Sequence, residues 1–318
     1  MKIHINDKMA EEAIQLLKDE GYKVTYEEMD KEKLTDKISE FDGIMVRSGT
    51  KLRKEQIEAG SKGNLKVIGR AGIGVDNIDI KEAAKKEIKV VNAPTGATYS
   101  VAELTLGHMI SLSRHICRAD HSIKEGKWIK KQLKGNELHG KTLGLIGCGN
   151  IGTETAKYAQ ILDMKVLGYD PYISREELGK NNIEKIDDIG ELMSKSDYVS
   201  LHLPHTKDTH HIVDKKMISK MKKKAFLINC SRGGTVDEKA LYDALKNEEI
   251  AGAAIDVFEN EPPEDNPLLN LDNVVLTPHL GANTKEGQIR AGTVCAEQMS
   301  KVLKGEEPDF WVNKKFKK

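Results

Sequence analysis

Short apolar runs, of the length a buried parallel strand needs, alternate along this chain with stretches whose apolar residues recur every three to four positions. In the first third the runs predict strands at residues 2–6, 23–26, 43–46, 67–69 and 90–91. Helices are expected between them at 8–19, where Met9, Ile14 and Leu17 set the period, at 34–39, around 57–59 and at 80–86. Ser100-Val101-Ala102-Glu103 has the spacing of a capping box. A long helical pattern runs from it to about Lys124 through Leu104, Leu106, Met109, Ile110, Leu112 and Ile116, a candidate connector between two domains. Strands follow at 143–146, 165–169, 198–203, 226–229, 251–257 and 274–277, six in number. Helices are expected after residue 152 and at 215–221, 238–246 and 284–303, with a tail strand or extension at 309–312. Alternation of this kind argues α/β architecture with parallel sheets, and 318 residues leave room for two domains.

One stretch is more explicit. The strand at 143–146 runs into Gly147, Gly149 and Gly152, spaced G-x-G-x-x-G, then into an amphipathic helix and a second strand that ends in Asp170. Gly147 permits the tight turn, Gly149 lets backbone approach a pyrophosphate, and Gly152 lets helix and strand pack closely. The helix N-terminus offers N–H groups to phosphate. Asp170, 18 residues after Gly152, stands where a carboxylate accepts from an adenosine ribose. Taken alone the fingerprint would fit any glycine-rich turn; with strand, helix and terminal acid in place it predicts a dinucleotide. The acid would repel a 2′-phosphate, and Pro171 and Tyr172 supply no arginine, so the expectation is NAD over NADP.

Composition mostly excludes. The 50 basic and 50 acidic residues balance, leaving no net field to recruit nucleic acid or an anionic membrane. Local lysine runs at 222–224 and in the C-terminal KKFKK read as solvated surface. Cys117, Cys148, Cys230 and Cys295 form no C-x-x-C pair and no metal-ligand spacing, as expected of reduced thiols in a cytoplasmic protein without a metal. No apolar run approaches the roughly 18 residues of a membrane span, and the N-terminus enters a strand pattern at once rather than reading as a signal peptide.

Strand ends carry the candidate chemistry. Arg232, Glu261 and His279 fall just past successive strands of the second half, 29 and 18 positions apart, and strand C-termini share one side of a parallel sheet. Oxidising an alcohol with a nicotinamide needs a base for the hydroxyl proton, which a histidine supplies near neutral pH when a carboxylate orients it. An arginine holds a substrate carboxylate with a planar fork. A lone histidine after proline is more often an ordinary loop residue, and Arg232 before two glycines or Glu261 before two prolines could each be a plain turn. Their shared position beside the dinucleotide motif favours the catalytic reading. In the first half, Arg47-Ser48, Arg70-Ala71-Gly72 and Asn92 end three strands and make an anion-friendly rim.

Several segments together, IGRAGIGVDNID at 68–79, NAPTGAT at 92–98, NCSRGG at 229–234, DVFENEPP at 256–263 and TPHLGA at 277–282, resemble the D-2-hydroxyacid dehydrogenases over nearly the whole chain. The resemblance implies two doubly wound domains: a Rossmann NAD-binding domain, residues 98–283, inserted in a flavodoxin-like substrate-binding domain, residues 1–97 and 284–318, with the active site in the cleft between them. It implies His279 as acid/base, Glu261 as its partner and Arg232 on the substrate carboxylate. Ile73, Asn150, Ile151, Asp170, Thr206, Cys230 and Asp256 match positions that line NAD, and Arg47, Ser48, Arg70, Gly72, Ile73 and Asn92 match the substrate rim. The implied reaction is NAD-dependent oxidation of a small phosphorylated hydroxy acid, 3-phospho-D-glycerate, with reduction of glyoxylate or hydroxypyruvate as the nearest rival. An NAD-sensing co-repressor on the same fold and a purely structural protein are further alternatives. The resemblance also implies a homodimer in which Lys130, where relatives often carry arginine, reaches the neighbouring subunit's active site. No regulatory domain is expected after the last helix.

Overall fold

The computed structural model describes residues 1–316; Lys317 and Lys318, the end of the KKFKK run, lie outside the described residues. The chain divides into two compact units, Met1–Thr98 with Ala282–Lys318, and Tyr99–Gly281.

The first unit holds five strands: β1 Lys2–Ile5, β2 Lys23–Tyr26, β3 Gly43–Val46, β4 Val67–Arg70 and β5 Lys89–Asn92. They pair in parallel in the order β2-β1-β3-β4-β5, the flavodoxin-like arrangement. Side chains alternate across this sheet with the period of two that strands impose. Ile3, Ile5, Met45, Val67 and Val91 pack on one face with Ala291, Cys295 and Met299 of the last helix, Lys285–Leu303. Ile44, Val46, Ile68 and Val90 pack on the other with Leu34, Leu52 and Ile57. Thr284 caps that last helix, its hydroxyl accepting from Gly287 N at 2.9 Å. The tail at 309–312 adds a single antiparallel bridge, Trp311 against Val91, on the edge of β5.

The second unit holds seven strands: β6 Thr142–Ile146, β7 Lys165–Tyr169, β8 Glu184–Lys185, β9 Tyr198–Leu201, β10 Phe226–Asn229, β11 Gly252–Ile255 and β12 Val274–Leu276. Their order, β8-β7-β6-β9-β10-β11-β12, is the doubly wound dinucleotide order extended by one strand. The seventh strand is β8, absent from the sequence expectation because two residues pairing only at Leu167 and Gly168 leave no apolar run. The helices Arg175–Gly179 and Ile189–Lys195 flank it. Among the described residues no helix is long and apolar enough to cross a membrane.

The long connector reaches Lys124 as expected but differs from its prediction at its start and in its middle. The helix starts at Thr98, so Ser100 lies inside it and is no N-cap. It ends at Arg114; His115 turns to φ +55°, and a second helix runs Ile116–Lys124. The reason is a competing donor. Asn136 N takes the Ser113 carbonyl at 2.8 Å, and Gly135 sits so close to that carbonyl that a Cβ would come within 2.3 Å. The i to i+4 ladder therefore breaks where the approach to β6 docks.

Candidate active site

At the C-terminal end of β6 the chain turns on Gly147, whose φ of +91° and distance to the His202 carbonyl (2.5 Å for a Cβ) both demand glycine. Gly152 is equally confined, since a Cβ would meet the Gly147 carbonyl at 2.3 Å; that contact seats the helix Asn150–Ile161 against the strand. Gly149 differs: a Cβ there would meet no heavy atom within 4 Å. It is the N-cap and has no side chain to cap the helix, so the first-turn N–H groups, including those of Asn150 and Ile151, face an open approach. Asp170, at the end of β7, is fixed by Cys148 N at 3.0 Å on Oδ2 and Tyr172 N at 2.9 Å on Oδ1. Glycine turn, uncapped helix end and oriented carboxylate make a cradle that fits a dinucleotide's pyrophosphate and ribose.

His279 follows β12 in the left-handed region, φ +54°, which a non-glycine residue adopts only when its surroundings hold it. Its N–H is shared between the carbonyls of Asp256 (2.9 Å) and Thr277 (3.0 Å). Its ring Nδ1 lies 2.9 Å from Glu261 Oε2, and Glu261 Oε1 accepts from Phe258 N at 3.2 Å. Nδ1–H toward the carboxylate leaves Nε2 as the acceptor in the neutral ring. Both side chains are about half exposed, 47% and 40%. The loop after β10 is built by Asn229: its amide donates to the Arg232 carbonyl at 3.0 Å and accepts from Ser231 N at 3.0 Å. Arg232 Nη1 donates to Ser231 O at 2.6 Å. Gly233 brings this loop against the segment after β11, where a Cβ would come within 1.8 Å of the Phe258 carbonyl. The loops carrying Arg232 and Glu261 are thus packed together, and Glu261 meets His279.

Two residues expected to line NAD, Asp256 and Cys230, are buried. Asp256 is fully buried. Its Oδ1 accepts from Thr277 Oγ1 at 2.5 Å and Leu280 N at 2.7 Å, its Oδ2 from Gly281 N at 2.9 Å; sequence spacing carried no sign of this anchoring. Cys230 is also buried, and burial together with the Asp256 charge pushes its thiol pKa up, so it is a neutral filler. Thr206, after β9, is exposed and closes a turn, its N–H donating to Thr209 Oγ1 at 2.7 Å. His202, in the same loop, was not singled out as functional. Its Nδ1 is sealed from solvent with no partner, Nε2 meets Ser200 Oγ at 2.9 Å, and burial pushes its pKa down to about 3.

In the first unit, the rim residues follow their strands as expected. Arg47 and Ser48 end β3, and their loop is clamped twice. Asn77 Nδ2 donates to the carbonyls of Arg47 and Thr50, 2.7 Å each, while the Asp7 carboxylate accepts from Arg47 N and Thr50 N. Arg70 ends β4 and folds back over Gly72, where a Cβ would fall 1.4 Å from its Nη1. Asn92 ends β5 and donates to the Ile73 carbonyl at 2.7 Å, tying two rim segments together. Lys130 lies in a short 3-10 turn, Lys130–Gln132, and is exposed. Asp7 and Asn77, the residues that shape this rim, were missed because a lone acid and a lone amide in loops have no pattern to mark them.

A doubly wound sheet with an open glycine cradle and a histidine–carboxylate pair at its strand ends defines a dinucleotide-binding protein equipped for proton transfer. Comparison agrees and goes further. Residues 106–281 match the family model "D-isomer specific 2-hydroxyacid dehydrogenase, NAD binding domain". The chain is 50% identical over 98% of its length to a D-3-phosphoglycerate dehydrogenase of Methanocaldococcus jannaschii, spanning 59% of that protein. It is 49% identical over 95% of its length to a hydroxypyruvate reductase of Thermotoga maritima, spanning 98% of that protein. Among solved structures, the D-lactate dehydrogenase from Aquifex aeolicus complexed with NAD and lactic acid is 30% identical, with a TM-score of 0.84 and 96% of each chain covered. The chain belongs to the D-isomer specific 2-hydroxyacid dehydrogenase family, and its second unit is the family's NAD-binding domain.

Proposed function

We propose that the protein oxidises 3-phospho-D-glycerate to 3-phosphohydroxypyruvate with NAD. The observation that carries the chemistry is the 2.9 Å contact of His279 Nδ1 with Glu261, at the strand ends of the sheet that bears the open glycine loop. Asn150, Ile151 and the uncapped helix end bind the pyrophosphate, and Asp170 binds the ribose; bound NAD supplies the hydride acceptor. His279 Nε2 takes the hydroxyl proton as the C2–H electron pair leaves as hydride and the carbonyl forms. Glu261 holds the ring in the required tautomer and stabilises it once protonated. Arg232 holds the substrate carboxylate. Arg47, Ser48, Arg70, Gly72, Ile73 and Asn92 serve the anionic ends of the substrate, and Asp256 and Cys230 act from below the surface as supports.

The choice of substrate is supported by the name of the M. jannaschii relative. The second reading, reduction of hydroxypyruvate, is supported by the name of the T. maritima relative at 49% identity. An NADH-absorbance assay decides between them. Turnover of 3-phosphoglycerate with at least about tenfold higher kcat/KM than glycerate or lactate supports the first; preference for unphosphorylated acids overturns it.

The working form is a homodimer. Ile116 (49%), Ile123 (55%) and Trp128 (81%) expose apolar surface along the helix Ile116–Lys124 and the segment after it, and such a stripe is characteristic of a covered face. Lys130, beside Trp128, is the cation offered to the neighbouring subunit's phosphate site. Light scattering gives the mass, and Lys130→Ala is expected to raise KM for the phosphorylated substrate alone. Four free thiols suit a reducing compartment, and we place the activity in the cytoplasm.

A further inference from the structure

The left-handed His279 turn is wrapped around Asp256, and Asp256 in turn is reached from one helix. On Thr98–Arg114 the buried positions Val101, Thr105 and His108 share a face at i, i+4 and i+7. That face lies under two strand-end loops at once, the one after β10 and the one after β12. Val101 touches the Cα environment of Gly281, where a Cβ would sit 3.2 Å from its methyl; the Thr105 hydroxyl bonds the Cys230 thiol; and His108 Nε2 lies 3.2 Å from Thr277 Oγ1. His108 is 3% exposed.

Proton bookkeeping fixes the direction of this last bond. Thr277 Oγ1 donates its single proton to Asp256 Oδ1 at 2.5 Å, so toward His108 it must accept. His108 is therefore the Nε2–H tautomer, and burial lowers its pKa, which keeps it neutral. The result is a directed chain: His108 Nε2–H to Thr277 Oγ1–H to the Asp256 carboxylate, which also receives the N–H groups of Leu280 and Gly281 on the far side of His279.

We infer that His108 is a positioning residue for the proposed reaction: it orients the Thr277 hydroxyl onto Asp256, and so holds the 277–281 turn that presents His279 to Glu261. The inference rests on the proposed dehydrogenase reading but is tested partly without it. An aliphatic side chain at 108 would fill the space and leave the hydroxyl free to rotate off the carboxylate. A glutamine reaches the same point, because its Nε2 and that of histidine lie the same number of bonds from Cα.

The experiment compares wild type, His108→Leu and His108→Gln in two measurements. Amide hydrogen exchange at Leu280 and Gly281 needs no substrate. Exchange is expected about five- to tenfold faster in His108→Leu, the worth of one hydrogen bond, and near wild type in His108→Gln. Under saturating substrates, kcat is expected to fall about tenfold in His108→Leu with KM for NAD unchanged, and to recover in His108→Gln. Unchanged exchange at both amides, or equal kcat losses in the two variants, overturns the assignment. A protein inactive on every hydroxy acid would sink the dehydrogenase reading while the exchange data still judge the turn.

Discussion

Each sheet has one place where the strand order reverses, between β1 and β3 in the first unit and between β6 and β9 in the second. Such switch points leave a crevice beyond the strand ends. In the first unit the chain fills it: the carboxylate of Asp7, after β1, takes the N–H groups of Arg47 and Thr50, and Gly49 would bring a Cβ within 2.7 Å of it. In the second unit the corresponding loop stays open, with Gly149 facing no atom within 4 Å and a helix start without a side-chain cap. One topology thus gives two devices. An internal anion satisfies the backbone donors of the first. The second keeps its backbone donors for an external anion.

If the second crevice is the reaction platform, its acid–base pair should dominate. His279→Ala is expected to lower kcat by about 10²–10⁴-fold while the dissociation constant for NAD, read by fluorescence titration, stays within about twofold. Near-normal turnover would remove the distinction altogether.

Next in size is acid sensitivity. His202 backs the open crevice, its carbonyl against Gly147. Its residue surface is only partly buried, yet Nδ1 is sealed and the ring pKa is pushed down to about 3. The folded pKa lies below that of the unfolded chain, so the unfolded state takes up the proton first. The stabilisation is full above about pH 6.5 and drains away as pH falls toward 3, by up to about 1.4 kcal/mol per pH unit. Chemical denaturation across this range should show His202→Gln with a flatter decline than wild type. An identical pH slope would mean that the ring is hydrated.

Unplugging the first crevice tests the other half. Asp7→Asn removes the charge and one acceptor, with an expected loss of about 1–2 kcal/mol of stability and a higher KM for the hydroxy acid. KM for NAD should not move; if it does, the two crevices are not separate devices. Smallest is Asp170→Ala, expected to weaken NAD about tenfold, near 1.4 kcal/mol, and to narrow the gap to NADP, measured as the ratio of their kcat/KM values.

The crevices differ in how far they could be read from the text. The open one is legible because Gly147, Gly149 and Gly152 each satisfy a separate backbone demand at fixed spacing. Strands β3, β6 and β10 are equally plain, being nearly continuous apolar runs, and β1 is plain by its alternation. The plugged one was not, since Asp7 and Asn77 act through contacts 40 and 43, and 30 and 27, residues away along the chain. Asp256 shows the same limit from the other side. Its position in DVFENEPP marked it as important, but only three dimensions reveal that its oxygens take the donors of the 277–281 turn. The short helices Arg175–Gly179 and Ile189–Lys195 are a different case. Their caps, Ser174 with Glu177 and Asp188 with Glu191, are written in the sequence and were overshadowed by weak apolar periodicity.

The helix Lys285–Leu303 has one more consequence. Ala291, Cys295 and Met299 complete a face of the first sheet, although they are synthesised after the whole second unit. On a ribosome, Ile3, Ile5 and Met45 therefore wait with that face covered only by Ala13, Ile14 and Leu17 of the first helix while Tyr99–Gly281 emerges and closes its own core. The unit encoded first is the unit finished last, which reverses the usual order of co-translational folding and leaves part of the first sheet's apolar face open in the meantime.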